Sequence, residues 1–156
     1  MADDSAGGKL DAGTENAALR GALAAEHAAV WGYGVVGAAL GAGAASAAVA
    51  AEAAHRDLRD RVTALLAERK AEAVRAEGGY ALPFPVLSEV DGAALAVVLE
   101  DGTAAAWVRV LDQSVERSTR ELAVEALSAA EIRAVAWRTA AGQVPATRAF
   151  PGLPEQ

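Results

Sequence analysis

Residues 22–40 read ALAAEHAAVWGYGVVGAAL, and their pattern predicts one long amphipathic helix. Positions that recur at alternating spacings of four and three fall on a single face of a helix. Seven residues in and beside this stretch follow that spacing: Leu19, Leu23, Glu26, Val30, Tyr33, Gly37 and Leu40. Six of the seven suit a core, but Glu26 places a carboxylate among them. Because a buried charge is costly unless it is paired, hydrogen-bonded or coordinated, the sequence predicts a partner for Glu26.

Three further helices follow from the same periodicity and from the glycine and proline breaks. The first helix is predicted over residues 14–40 with Thr14 as its N-cap, and the others over about 46–77, 88–111 and 117–141. Between the second and third helices, the segment GGYALPFPVLS contains two prolines, which exclude a helix there. Eleven extended residues reach roughly 36 Å, about the length of a 24-residue helix. This linker is therefore long enough to cross the whole bundle.

The predicted fold is all-α, a four-helix bundle with one long crossover between helices 2 and 3. Ferritin-like folds are the main example of this connectivity. Residues 1–13 are predicted to form a disordered N-terminal tail, residues 14–142 the ferritin-like bundle, and residues 143–156 an irregular proline-rich tail. Phe150 and Leu153 are apolar enough to dock that second tail onto the bundle.

The composition disfavours some binding partners and excludes some kinds of catalytic and metal site. The chain has 156 residues, a net charge of -7 and a pI of about 4.8, which disfavours nucleic acid and anionic membranes as partners. It has no cysteine, which excludes disulfides, thiolate catalysis and sulfur-ligated metal sites. The first residues lack the pattern of a signal peptide, and Ser46 interrupts the apolar run 28–51. We therefore expect a cytoplasmic protein without a membrane span.

Glutamates inside the apolar stripes suggest a metal site. Ferritin-like di-iron bundles take one Glu from each of two helices and a Glu-x-x-His from each of the other two. Helix 2 contains Glu-Ala-Ala-His, whereas helix 4 has Ala134 where the second histidine would stand. The candidate metal ligands are Glu26, Glu52, His55, Glu100 and Glu131. Carboxylate and imidazole ligands suit iron or manganese, which are the predicted cofactors, and the absence of any metal is the open alternative.

The register of the helices predicts which of these candidate ligands lie at the same height in the bundle. With the first turn centred near residue 43, Glu26 lies opposite about residue 60, so that His55 is roughly 7 Å and Glu52 roughly 12 Å away along the axis. With the second turn centred near residue 114, Glu100 comes within roughly 5 Å of Glu125 or Glu131 along the axis. This register favours Glu26 and Glu100, leaves His55 marginal and places Glu52 too far away.

An ion network would satisfy the same buried carboxylates without a metal. Four arginines lie within reach of them: Arg56, Arg59, Arg133 and Arg138. Four aromatic residues are predicted to pack in the core: Trp31, Tyr33, Trp107 and Trp137. Neither histidine has a serine and an aspartate arranged around it for nucleophilic catalysis. No catalytic residue is therefore assigned, and enzymatic activity is left open.

Six blocks of the sequence resemble a protein family of high-GC bacteria. They are EHAAVWGYGVVGA, AHRDLRD, YALPFPV, LEDGTAAAW, AVAWR and AFPGLPE, all within residues 26–155. The chain is similar, over about residues 18–155, to an uncharacterised ferritin-like domain family that is catalogued as a domain of unknown function. The resemblance implies a ferritin-like four-helix bundle and no established activity. On the broader ferritin-like pattern, it also implies that the five candidate ligands take the ligand places, with Ala134 in place of a histidine.

Two functions are consistent with this pattern. One is a ferritin-like bundle of unknown biological role with a degenerate carboxylate and histidine metal site, or with none. The other is a non-catalytic structural or protein-interaction homodimer whose buried glutamates pair with arginines. A homodimer is expected because alanine-rich helices leave shallow surfaces, and the glycine-rich face of helix 1 or the C-terminal tail would take part in it.

Overall fold

The computed structural model describes residues 11–154, which form four α-helices. α1 spans Ala12–Ala39, α2 spans Ala42–Glu68, α3 spans Glu89–Gln113 and α4 spans Arg117–Ala140. No strand occurs among residues 11–154, and the prediction of an all-α, four-helix fold is confirmed. The likeness to ferritin-like bundles in particular stays a prediction. Within the same residues, none of the helices has the length and apolar character needed to cross a membrane.

The first helix begins before the predicted position because Asp11, rather than Thr14, is its N-cap. The Thr14 backbone N–H donates to Asp11 Oδ1 at 2.8 Å, and the Asp11 N–H donates to Thr14 Oγ1 at 3.1 Å. These reciprocal bonds form a capping box, which satisfies two backbone donors at the helix start. Of the tail predicted over residues 1–13, the part before Asp11 lies outside the described residues, and the rest begins α1.

Contacts at the two ends of α1 give the direction of the other helices. Beside the first turn of α1, Glu15 accepts hydrogen bonds from Arg69, just after α2, and from the Val115 N–H in the turn before α4, both at 2.8 Å. At the other end of α1, a Cβ added at Gly92 of α3 would lie 3.0 Å from Ala39 Cβ. Residues 69–88 thus join opposite ends of α1, and α2 and α3 run in the same direction.

The second helix ends at Glu68, well before the predicted end near residue 77. Lys70 adopts a left-handed conformation with φ of 56°, and the Ala71 N–H donates to the Leu66 carbonyl at 2.9 Å. This pattern is the Schellman type of helix end, here without a glycine. Arg69 is held at that point by Glu15, so a tertiary contact stops a segment whose composition is favourable to helix.

Two apolar clusters fill the bundle at different heights. The first consists mainly of residues near the start of α1 and the end of α2, and the second of residues near the end of α1 and the start of α3. Along α1, α2 and α3, the positions between the two clusters are taken by Glu26, His55 and Glu100, all fully buried. The fold therefore places a polar layer at mid-height between two apolar ones.

The C-terminal tail contacts the bundle through a buried arginine of α4 and through Gly152, where an added Cβ would lie 2.5 Å from Val108 Cγ2 of α3. Buried Arg138 of α4 donates from Nη1 to the Ala146 carbonyl at 3.2 Å. Phe150 and Leu153 are 65% and 48% exposed. Both side chains are thus exposed, and their docking onto the bundle stays a prediction.

Two glycines of α1 allow a matched test of helix packing. A Cβ added at Gly32 would lie 2.7 Å from Leu99 Cδ1, whereas one added at Gly34 meets no atom of residues 11–154 within 4 Å. Since alanine exceeds glycine in helix propensity by about 1 kcal/mol, Gly34→Ala is expected to raise the free energy of unfolding by about that amount. In Gly32→Ala, the displacement of Leu99 should cancel this gain. Urea unfolding of both variants tests the prediction, and equal stabilisation would contradict a close approach of α1 and α3.

Candidate functional site

Side chains from all four helices meet in the polar layer. Glu26 comes from α1, His55 from α2, Glu100 from α3 and Arg133 from α4. The first three are fully buried, and the Arg133 side chain is 19% exposed. With two aromatic donors, these residues form what we call the central cluster: Glu26, Tyr33, His55, Glu100, Trp107 and Arg133.

His55 connects the two carboxylates of the central cluster. Its Nδ1 lies 2.6 Å from Glu26 Oε2, and its Nε2 lies 3.2 Å from Glu100 Oε1. Burial lowers the pKa of His55, but its hydrogen bonds to Glu100 and Glu26 outweigh burial and raise the pKa to about 9. Because only the protonated imidazole donates from both nitrogens, His55 is a cation that bridges two carboxylates at neutral pH.

Two aromatic side chains donate further hydrogen bonds to the buried carboxylates. Trp107 Nε1 donates to Glu26 Oε1 at 2.7 Å, and the Tyr33 hydroxyl donates to Glu100 Oε1. Burial and the neighbouring Glu100 charge raise the pKa of Tyr33, so its phenol stays protonated as a donor. The Tyr33 ring also stacks on the His55 ring, with centroids 5.4 Å apart. Both aromatic residues, predicted as core packing, thus also supply a donor to a buried carboxylate.

Arg133 completes the cluster from its solvent side. Its Nε donates to Glu100 Oε1 at 2.8 Å. Burial raises the pKa of Glu100, but the hydrogen bonds from His55 and Arg133 outweigh it and leave the pKa below its ordinary value. The negative charges of Glu26 and Glu100 are therefore offset by the positive charges of His55 and Arg133. Two buried atoms, Glu100 Oε2 and Arg133 Nη2, have no hydrogen-bond partner among residues 11–154.

Only some of the predicted ligands come together. Glu26, His55 and Glu100 meet, but Glu52 lies outside the central cluster and accepts a hydrogen bond from Arg56 Nε at 3.0 Å on the α2 surface. Glu131 also lies elsewhere, with its Oε2 3.4 Å from Nη1 of the buried Arg138. In the part of the chain that the structure describes, no group of three or more His, Asp or Glu residues is arranged to hold a metal ion.

The position of the first turn explains why His55 reaches Glu26. The turn consists of Leu40 and Gly41, whereas the sequence suggested a centre near residue 43. Moving the centre toward the N-terminus by about two and a half residues shifts the residue opposite Glu26 by about twice as many positions, from about 60 to about 55. His55, marginal in the predicted register, becomes a direct partner.

The sequence named four arginines as potential partners without separating them. The structure selects Arg133 for Glu100, and it places Arg56 on the surface beside Glu52. The polar role of Trp107 was missed. A signal for it was available, because Trp107 follows Glu100 by seven residues on the same helix, which is two turns along the same face.

Comparisons with known proteins relate the chain to one family and to a solved structure. The family described as a domain of unknown function (DUF4439) matches residues 18–155. The crystal structure of a conserved hypothetical protein, rv2844, from Mycobacterium tuberculosis is similar, with a TM-score of 0.81 and 37% sequence identity. This similarity covers 83% of the present chain and 98% of that one. No curated protein matches the chain.

Proposed function

The chain belongs to the family described as a domain of unknown function (DUF4439), and we propose that it is a non-catalytic structural or interaction protein whose central cluster is an internal ion network. The observation that supports it is the use of both ring nitrogens of His55 by carboxylates of the same chain. A metal-binding imidazole needs a deprotonated nitrogen directed at the metal.

Burial supports a structural role rather than a reaction. Glu26, His55 and Glu100 are fully buried, so a substrate would need a conformational change before it could touch them. A hydrogen-bonded polar layer between two apolar clusters fixes the relative height of the helices, because sliding one helix would separate charged partners. The cluster thereby joins α1, α2, α3 and α4 at a single register.

The donor set does not fit a two-metal centre. The Arg133 guanidinium lies against Glu100, where a second cation would be repelled, and Ala134 is a buried apolar residue in place of a histidine. Glu52 and Glu131 would each have to break an ion pair with an arginine before they could bind a metal. Iron or manganese held by Glu26, His55 and Glu100 is the second candidate, and it requires His55 to lose its proton and one carboxylate partner.

Metal analysis distinguishes the two candidates. The protein is purified without chelator, incubated with Fe²⁺ or Mn²⁺, desalted and analysed by inductively coupled plasma mass spectrometry, with Glu26→Ala as the matched control. The ion network predicts no stoichiometric metal in either protein. One metal per wild-type chain, lost in Glu26→Ala, would overturn the proposal in favour of the metal site.

The proposed assembly is a homodimer formed through the C-terminal tail. Gly32 and Gly37 of α1 face Leu99 and Ala48 within the bundle, which leaves less of the glycine-rich face for a partner. The tail, in contrast, exposes Phe150 to the solvent. A cytoplasmic location is part of the proposal, and the net charge of -7 supports the absence of a nucleic-acid partner.

Light scattering tests the assembly. Wild-type protein at micromolar concentration is expected to have the mass of a dimer, and Phe150→Ser that of a monomer, because burial of a large aromatic side chain contributes strongly to small interfaces. Ile132→Ser, which removes an exposed aliphatic side chain from α4, should remain dimeric. A monomeric wild type, or a dimeric Phe150→Ser, would count against the tail as the interface.

A further inference from the structure

A cleft separates α2 from α4 above the central cluster. It has a volume of about 310 Å³ and is lined by five alanines from the two helices, by Trp137 and by Arg133. Small side chains on both facing helices leave this space open, although α2 packs closely on α1 and α4 on α3. A mostly apolar cavity between helices, with a few polar groups in its wall, has the character of a small-molecule site.

Arg133 is the one charged residue that residues 11–154 contribute to this lining. Its Nε is used by Glu100, whereas its buried Nη2 has no partner among the residues that the structure describes. A buried donor without an acceptor is unfavourable, and buried polar groups in folded proteins are normally satisfied. The positive charge of Arg133 is already offset by Glu100. We therefore expect a ligand of this cleft to offer a neutral hydrogen-bond acceptor rather than a negative charge.

We propose that this cleft binds a small neutral molecule with an aliphatic body and one carbonyl or hydroxyl oxygen, which accepts a hydrogen bond from Arg133. The alanine and tryptophan walls suit the aliphatic body. Since a water molecule occupies about 30 Å³ of liquid, the cleft has room for about ten non-hydrogen atoms. This site goes beyond the proposed structural function and does not depend on the assembly of the chain.

Three probes of about ten non-hydrogen atoms each separate the chemical classes that the cleft would take. They are 2-nonanone, which has a neutral acceptor, n-butylbenzene, which has none, and octanoate, which is an anion. Isothermal titration calorimetry with the full chain is expected to show binding of 2-nonanone. The affinity for n-butylbenzene should be about tenfold lower, because this hydrocarbon cannot accept a hydrogen bond from the charged donor. Octanoate should also bind more weakly than 2-nonanone.

Cleft-filling variants locate the binding. Ala47→Leu on α2 and Ala136→Leu on α4 each add a branched side chain to the lining, and Ala53→Leu adds the same side chain at an exposed position of α2 outside it. Both cleft variants should lose 2-nonanone binding while Ala53→Leu retains it, with circular dichroism as the check on folding. The proposal is overturned if the wild type binds none of the probes, if octanoate binds most tightly, or if the folded cleft variants bind like Ala53→Leu.

Discussion

Glu100→Ala is expected to lower the free energy of unfolding by about 3–5 kcal/mol, the usual cost of breaking a buried ion pair from one side. Glu100 accepts hydrogen bonds from Tyr33, His55 and Arg133 through a single oxygen. Removing the carboxylate leaves two cations close together and one buried phenol without its acceptor. Urea unfolding followed by circular dichroism measures the change.

Glu52→Ala is the matched control for this substitution. Glu52 is another candidate ligand, but it pairs with Arg56 one turn away at the surface, and such pairs contribute about 0.3–0.5 kcal/mol. Glu100→Gln should fall between the two, because it keeps an acceptor and loses only the charge. If Glu100→Ala unfolds at the same urea concentration as Glu52→Ala, Glu100 is not part of a buried network.

The stability that His55 contributes is expected to disappear as the pH rises from near neutral to above 9. The pKa of His55 is raised from 6.5 to about 9 in the folded protein, so the folded state binds its proton more tightly than the unfolded state does. The contribution is therefore fully present below about pH 6.5 and is lost as the pH rises through about 9. A pKa shift of this size corresponds to a contribution of a few kcal/mol to the free energy of unfolding.

Unfolding curves at several pH values isolate this contribution. The wild type should lose stability between about pH 6.5 and 9 relative to His55→Gln, which has no proton to lose at that position. His27→Gln removes the other histidine, whose Nε2 lies 3.1 Å from the Val74 carbonyl at the surface, and it should keep the wild-type slope. Identical pH dependence in the wild type and His55→Gln would contradict a cationic His55 in the folded protein.

The polar layer could be predicted because it interrupts an otherwise regular pattern. Glu26 and Glu100 occupy core positions of their helices, and the desolvation cost of a carboxylate requires partners whatever the tertiary details. The identity of the partners could not be predicted to the same degree. A displacement of the first turn by about two and a half residues changes which residue faces Glu26 by about five, so local signals at Gly41 set the whole register.

Other differences arise where tertiary contacts override local preference. Residues 69–77 have a composition that favours helix, yet α2 stops where Arg69 binds Glu15 and Lys70 turns to a left-handed conformation. Phe150 is apolar, yet it stays exposed while Arg138 binds the tail. Hydrophobic periodicity carries no information about such long-range polar contacts.

The protonation state of His55 tests the central claim most directly. In ¹⁵N-labelled protein at neutral pH, the network predicts that both ring nitrogens of His55 carry protons and that the ring titrates near 9. The Nδ1–H and Nε2–H resonances should disappear together in His55→Gln and persist in His27→Gln. A neutral His55 ring at neutral pH, with one bare nitrogen that shifts on addition of Mn²⁺ or Fe²⁺, would contradict an internal ion network and identify a metal ligand instead.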